Sequence, residues 1–138
     1  MPASARRPKG APQVMPYLYY PDAASALSFL IDAFEFEEIS AERDEGGTVW
    51  TAQVSTGDGV VLIGPGMEEF GSKSVTVGAS ATSRTFVYVD EVDLHYQHSL
   101  ERGAAIIAEP ANHGPNRIYV ARDPGGQEWI FASALPVQ

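Results

Sequence analysis

Two periods of apolar residues run through this chain, and they recur in the same order twice. Met15 to Tyr20 (MPYLYY) is a short aromatic run that reads as a strand. Pro21-Asp22 ends it, and Asp22 suits a helix N-cap. AASALSFLIDAF then sets Ala26, Leu27, Leu30, Ile31 and Phe34 at helical spacing. Phe36 to Ala41 reads as a strand, Glu45-Gly46-Gly47 as a turn, and VWTAQV as the next strand. Ser55 to Gly59 turns into VVLIG, which completes a β-α-β-β-β series.

The series then repeats. RTFVYV is a strand, Asp90-Glu91 opens a helix, and VDLHYQHSLERG places Val92, Tyr96 and Leu100 along one face. Gly103 is a natural helix-ending glycine, AAIIAEP reads as a strand, and Ala111 to Asn116 as a loop. RIYVARDPGGQEWIF closes the chain as a hairpin, with turn chemistry in Asp123-Pro124-Gly125-Gly126. Asp22 aligns with Glu91, an offset of 69 residues (91 − 22). The pattern predicts an α+β fold of two βαβββ modules, with curved, mostly antiparallel sheets and helices on their outer faces. Residues 14–66 form the first module, 67–83 a Gly-, Ser- and Thr-rich linker and 84–133 the second. Residues 1–13 and 134–138 read as tails. A concave inner face between the halves is a natural pocket.

The doubled βαβββ unit, the strand-Asp-helix openings and the ending GPNRIYVARDPGGQEWIF resemble the vicinal oxygen chelate superfamily. Its members include glyoxalase I, extradiol dioxygenases, fosfomycin-resistance enzymes and bleomycin-resistance proteins. The similarity spans about residues 14 to 133 and is greatest to the glyoxalase/bleomycin-resistance branch. The resemblance implies a homodimer, because relatives often complete the paired sheets between two chains. It also implies four positions where metal-using members place ligands on the concave face. Those positions fall here on Met15, Leu62, Arg84 and Ile130. None offers the imidazole or carboxylate that a divalent metal wants, so no metal or other cofactor is expected.

Other ligand sets are weak. His95 and His98 stand three apart on a helix, and Tyr96 and Leu100 claim its buried face, so both histidines are expected in solvent. His113 is a lone loop residue. No serine has a nucleophile-elbow context, and GPGMEEFG lacks the lysine of a phosphate loop.

Strand alternation assigns the inner face instead to Met15, Tyr17, Tyr19, Val60, Leu62, Arg84, Phe86, Tyr88, Arg117, Tyr119, Glu128 and Ile130. Of these, Tyr17, Tyr19, Arg84, Phe86, Tyr88, Arg117, Tyr119 and Glu128 are the candidate ligand contacts. An aromatic wall with a few polar groups describes a small-molecule site. Arg84, at a vacated ligand position, has Glu128 as an internal partner or a ligand as an external one. Trp129 and Phe131 point the other way, under the helices.

Composition narrows the choice. Eighteen acidic and nine basic residues give a formal charge of −9, a field that disfavours nucleic acid and anionic membranes. The 44% hydrophobic content supports a real core, no apolar run reaches membrane-spanning length, and there are no cysteines. The N-terminal basic residues precede no apolar core, so a signal peptide is not expected and a cytoplasmic setting is. Together these features point to a protein that binds or sequesters a small aromatic or cationic molecule. The alternative is a metal-independent lyase, isomerase or similar enzyme that uses Arg117, Tyr119 or Glu128 for acid–base work.

Overall fold

The computed structural model describes residues 7–66 and 81–137. Its elements are β1 (Tyr17–Tyr19), α1 (Ala23–Phe34), β2 (Glu37–Arg43), β3 (Val49–Ser55) and β4 (Val60–Gly64) in the first module. The second module has β5 (Thr85–Tyr88), α2 (Val92–Glu101), β6 (Ala105–His113), β7 (Asn116–Arg122) and β8 (Glu128–Ala134). The doubled βαβββ order is therefore present, and the fold is α+β. Most of the expected linker lies outside the described residues.

Each module makes its own four-stranded sheet, ordered β1-β4-β3-β2 and β5-β8-β7-β6. In both, the first strand runs parallel to the last, while the remaining neighbours are antiparallel. The loop expected at residues 111–116 shrinks to Gly114-Pro115, with Gly114 at φ 57°, so the strands flanking it are longer than their polar composition suggests. Ala134, placed in a tail from sequence, ends β8.

α1 starts where Asp22 accepts a hydrogen bond from the Ser25 amide at 3.1 Å. Its apolar stripe buries Ala26, Leu27, Leu30, Ala33 and Phe34 in a cluster with Ala52, Val54, Val61 and Ile63. Ile31, expected on that stripe, lies at its margin and is exposed.

α2 departs further from its expected face. Val92, His95 and Ser99 are buried, whereas Leu94 and Leu100 are exposed and Tyr96 only packs at the edge of the core. The reason is what the helix meets. Its inner face abuts the C-terminus of α1, where the carbonyls of Asp32, Ala33 and Phe34 accept bonds from His98, Ser99 and His95. Unpaired helix-end carbonyls select polar side chains over leucine. Glu91 occupies the N-cap position without a capping bond, and Ser133 Oγ accepts the Val92 amide instead, at 3.0 Å.

The two modules share one core on their helix-covered faces. Phe34 and Phe36 from the first module pack against Trp129 and Phe131 from the second, with ring centroids 4.8–6.2 Å apart. Beside them, the Tyr20 hydroxyl donates to Asp123 Oδ2 at 2.6 Å. Gly125 lets Tyr20 lie on the hairpin turn, because a Cβ there would stand 2.3 Å from the ring. No helix among the described residues is long and apolar enough to cross a membrane.

Candidate binding faces

The modules join through their helix-covered sides, and among the described residues no helix covers the other face of each sheet. Register defines these faces. Tyr17 sits beside Leu62, and Leu62 beside Gln53. In the second sheet Phe86 sits beside Ile130, and Ile130 beside Val120. Each first strand contributes two rings at alternate positions, Tyr17 with Tyr19 and Phe86 with Tyr88, and both pairs have centroids 5.1 Å apart. The pairs are equivalent across the repeat, since 86 − 17 and 88 − 19 both equal 69. Tyr17, Phe86 and Tyr88 expose 40%, 46% and 61% of their surface. Among the described residues no ring pair or ion pair joins one open face to the other. The two aromatic faces therefore do not meet within one chain, and the cleft that lies between the modules is lined instead by residues such as Phe34, Phe36, Thr56, Glu91, Leu94 and His98.

The second open face also carries charge. Arg84 Nε donates to Glu128 Oε1 at 2.8 Å, and Arg122 Nη2 donates to Glu128 Oε2 at 2.9 Å. The Glu128 side chain is only 4% exposed, and the two arginines that bond it are 44% and 37% exposed. Hydrogen bonds first from Arg122 and then from Arg84 hold its carboxyl below the usual range, outweighing the cost of burial. The Arg84–Glu128 pair was legible in the sequence; Arg122 was missed. Its signal was the hairpin itself, because a turn at residues 123–127 sets Arg122 directly opposite Glu128.

The same register corrects two candidate contacts. Arg117 and Tyr119 pair with Ser133 and Phe131, so they share the helix-facing side with Trp129 and not the open side with Glu128. Tyr119 is fully buried, and Arg117 forks onto the Asp93 carboxylate of α2 at 2.9–3.2 Å. Alternation holds within β7 and within β8, but the parity across the DPGG turn is opposite to the expected one. The turn carries an even offset from Arg122 to Glu128, which puts Ile118, Val120 and Arg122 on the open face.

His95, expected in solvent, is buried at the junction. Its Nε2 lies 3.0 Å from the Phe34 carbonyl and must donate, so Nδ1 accepts from the Tyr119 hydroxyl at 2.5 Å. This is the neutral ring. Burial pushes its pKa below the ordinary value, helped by His98 and opposed by the Phe34 carbonyl and Glu35. A lowered pKa means the unfolded chain binds the extra proton first. His95 therefore contributes stability above about pH 6.5, and that contribution is lost as pH falls below it. Urea midpoints should drop between pH 7.5 and 5.5, and His95→Gln should reduce the drop. An equal drop in the variant would show that the ring does not titrate this way.

Among the described residues no three His, Asp or Glu side chains converge as a metal site would need. The positions Leu62 and Ile130 do lie on the open faces, two residues along from Val60 and Glu128. Their side chains there are aliphatic.

Comparison with known families decides the lineage. The model of the glyoxalase/bleomycin resistance protein/dioxygenase superfamily matches residues 11–131. The chain belongs to this superfamily. It is 26% identical over 128 residues to an uncharacterized protein of Mycobacterium bovis, covering 90% of this chain and 84% of that protein. Its fold is similar to that of TioX from Micromonospora sp. ML1, with a TM-score of 0.71, 26% identity, and coverage of 92% and 99% of the two chains. It is also similar to TnmS3, an antibiotic binding protein from Streptomyces sp. CB03234, with a TM-score of 0.68, 18% identity, and coverage of 91% and 98%. A fosfomycin resistance protein, FosX of Mesorhizobium loti, matches at a TM-score of 0.61 and 13% identity over 91% and 92% of the chains. An antibiotic binding protein and a fosfomycin resistance protein thus share this fold, and the fold alone does not choose a function.

Proposed function

We propose that this superfamily member binds a small aromatic molecule without a metal, between the open faces of two copies of the chain. The observation that carries the reading is the duplicated pair of exposed rings, Tyr17–Tyr19 and Phe86–Tyr88, on faces that the chain's own core leaves uncovered. The occupant of those faces is a second copy. Among the described residues, β1 and β5 are each paired on one side only, so both offer an edge next to an aromatic face. A twofold axis then sets the first module of one copy against the second module of its partner, twice over. A cytoplasmic setting is kept as part of this reading.

Binding is favoured over catalysis by the state of the acid–base candidates. Glu128 is held ionised by two arginines, which makes it a weak base. Tyr119 is buried, and desolvation raises its pKa, so it is a poor proton donor and lies on the wrong face. An aromatic ligand is favoured over a cationic one, because the ion cluster on the second face holds two guanidiniums to one carboxylate.

The test is a fluorescence titration with the neutral probe N-phenyl-1-naphthylamine. Tyr17→Ala and Phe86→Ala should each weaken binding by roughly 2- to 10-fold, the loss of one stacked ring at about 0.5–1.5 kcal/mol. Unchanged affinity in both variants would remove the rings from the site.

A further inference from the structure

Resting on that binding reading, we infer that the natural ligand joins its aromatic body to one anionic oxyacid group, a carboxylate or sulfonate, which Arg84 and Arg122 bind. The cluster carries a net charge of +1, two guanidiniums against the Glu128 carboxylate. It is also under-used as a donor set. Arg84 spends Nε on Glu128 and Arg122 spends one Nη, and among the described residues neither has another side-chain partner. The remaining N–H groups of both arginines are left for an acceptor that the described residues do not supply.

The internal repeat shows that the fold does not need this cluster. The repeat offset of 69 sets Arg84 on Met15, and the hairpin pair Arg122–Glu128 corresponds to Ser55–Val60. The first module therefore builds the same sheet end from methionine, serine and valine. An ion cluster placed where an apolar one suffices is poor evidence for a stability device. Glu128 acts here as a positioning residue. It fixes both guanidinium planes and trims their charge so that a monoanion is neutralised by them. Phe86 lies two residues along from Arg84 in the direction of β5, and Ile130 the same distance from Glu128. The anionic group thus sits about 7 Å from the ring that stacks on Phe86. In a chain of net charge −9, a local positive spot is also a selector, since the surrounding field repels anions that gain nothing from it.

Two probes with one aromatic body separate the possibilities. N-phenyl-1-naphthylamine is neutral, and 1-anilinonaphthalene-8-sulfonate adds a single sulfonate. The intact protein should bind the sulfonate about 10-fold or more tighter at low salt, the range of a charge-assisted hydrogen bond. Arg84→Gln and Arg122→Gln should each lower sulfonate affinity about 10-fold while changing neutral-probe affinity less than about 2-fold. Arg84→Lys should keep most of the preference. Glu128→Gln should raise sulfonate affinity, because it removes the competing charge; a purely structural ion cluster would give a loss. Near-UV circular dichroism establishes that each variant is folded. Equal affinity for both probes, or parallel loss of both in the arginine variants, overturns the anion assignment and leaves the aromatic site standing. Failure of both probes to bind the intact protein overturns the binding reading itself and this inference with it, whereas binding of the neutral probe alone overturns only the anion assignment.

Discussion

Replacing Asp123 by alanine is expected to lower the unfolding free energy by roughly 3–5 kcal/mol. This one carboxylate sits in the hairpin turn and accepts four bonds. Oδ2 takes the Tyr20 hydroxyl at 2.6 Å and Trp129 Nε1 at 3.0 Å. Oδ1 takes the amides of Gly125 and Gln127 at 3.1 and 3.0 Å. The alanine variant strands two buried side-chain donors, each costing about 1–3 kcal/mol, and frees a turn that also holds the module junction. Tyr20→Phe removes one of the four bonds and should cost only about 1–2 kcal/mol. Urea denaturation of both variants measures the difference. A loss under about 1 kcal/mol for Asp123→Ala would mean the turn does not bind the modules together.

Phe34→Ala is expected to cost about 3–5 kcal/mol, the usual range for emptying a large buried aromatic site. Phe34 ends α1 and touches rings from both modules. Its centroid lies 5.1 Å from Phe29, 4.8 Å from Phe131 and 5.7 Å from Trp129. The lost ring cannot be replaced by collapse of one module alone, because its neighbours belong to two. Phe34→Leu keeps much of the volume and should lose about half as much or less. A small loss in the alanine variant, with an unchanged urea slope, would show that the modules fold as separate units rather than on a shared core.

Local chemistry made the elements and their duplication readable. Asp22, Gly103 and the DPGG turn each name their own conformation, and the 69-residue repeat fixes which elements correspond. What stayed hidden depends on contacts between the modules. His95 and Ser99 look like surface residues on a helix whose apolar side chains are Tyr96 and Leu100. Only the α1 C-terminus, 60 residues away or more, explains why they turn inward. The face on which each candidate contact lies was legible for six of the eight. Tyr17, Tyr19, Arg84, Phe86, Tyr88 and Glu128 do occupy the open faces, because alternation within a strand needs no long-range information. Arg117 and Tyr119 do not, because parity across a turn is set by its hydrogen-bonded register, and the turn that pairs Arg122 with Glu128 also pairs Tyr119 with Phe131. That both aromatic faces turn away from the chain's own core was likewise invisible, since it follows from the Phe34–Phe131 and Tyr20–Asp123 contacts.

The central claim is that one binding site draws its first face from one chain and its second from another. Mixing two defective variants tests it most directly. Tyr17→Ala/Tyr19→Ala spoils the first face and Phe86→Ala/Tyr88→Ala the second, so each variant alone should bind N-phenyl-1-naphthylamine poorly. Unfolding the two together and refolding them should restore tight binding in about a quarter of the wild-type number of sites, because half the dimers are mixed and each mixed dimer holds one intact pair of faces. No recovery in the mixture, with both variants folded and dimeric, would contradict a site shared between chains.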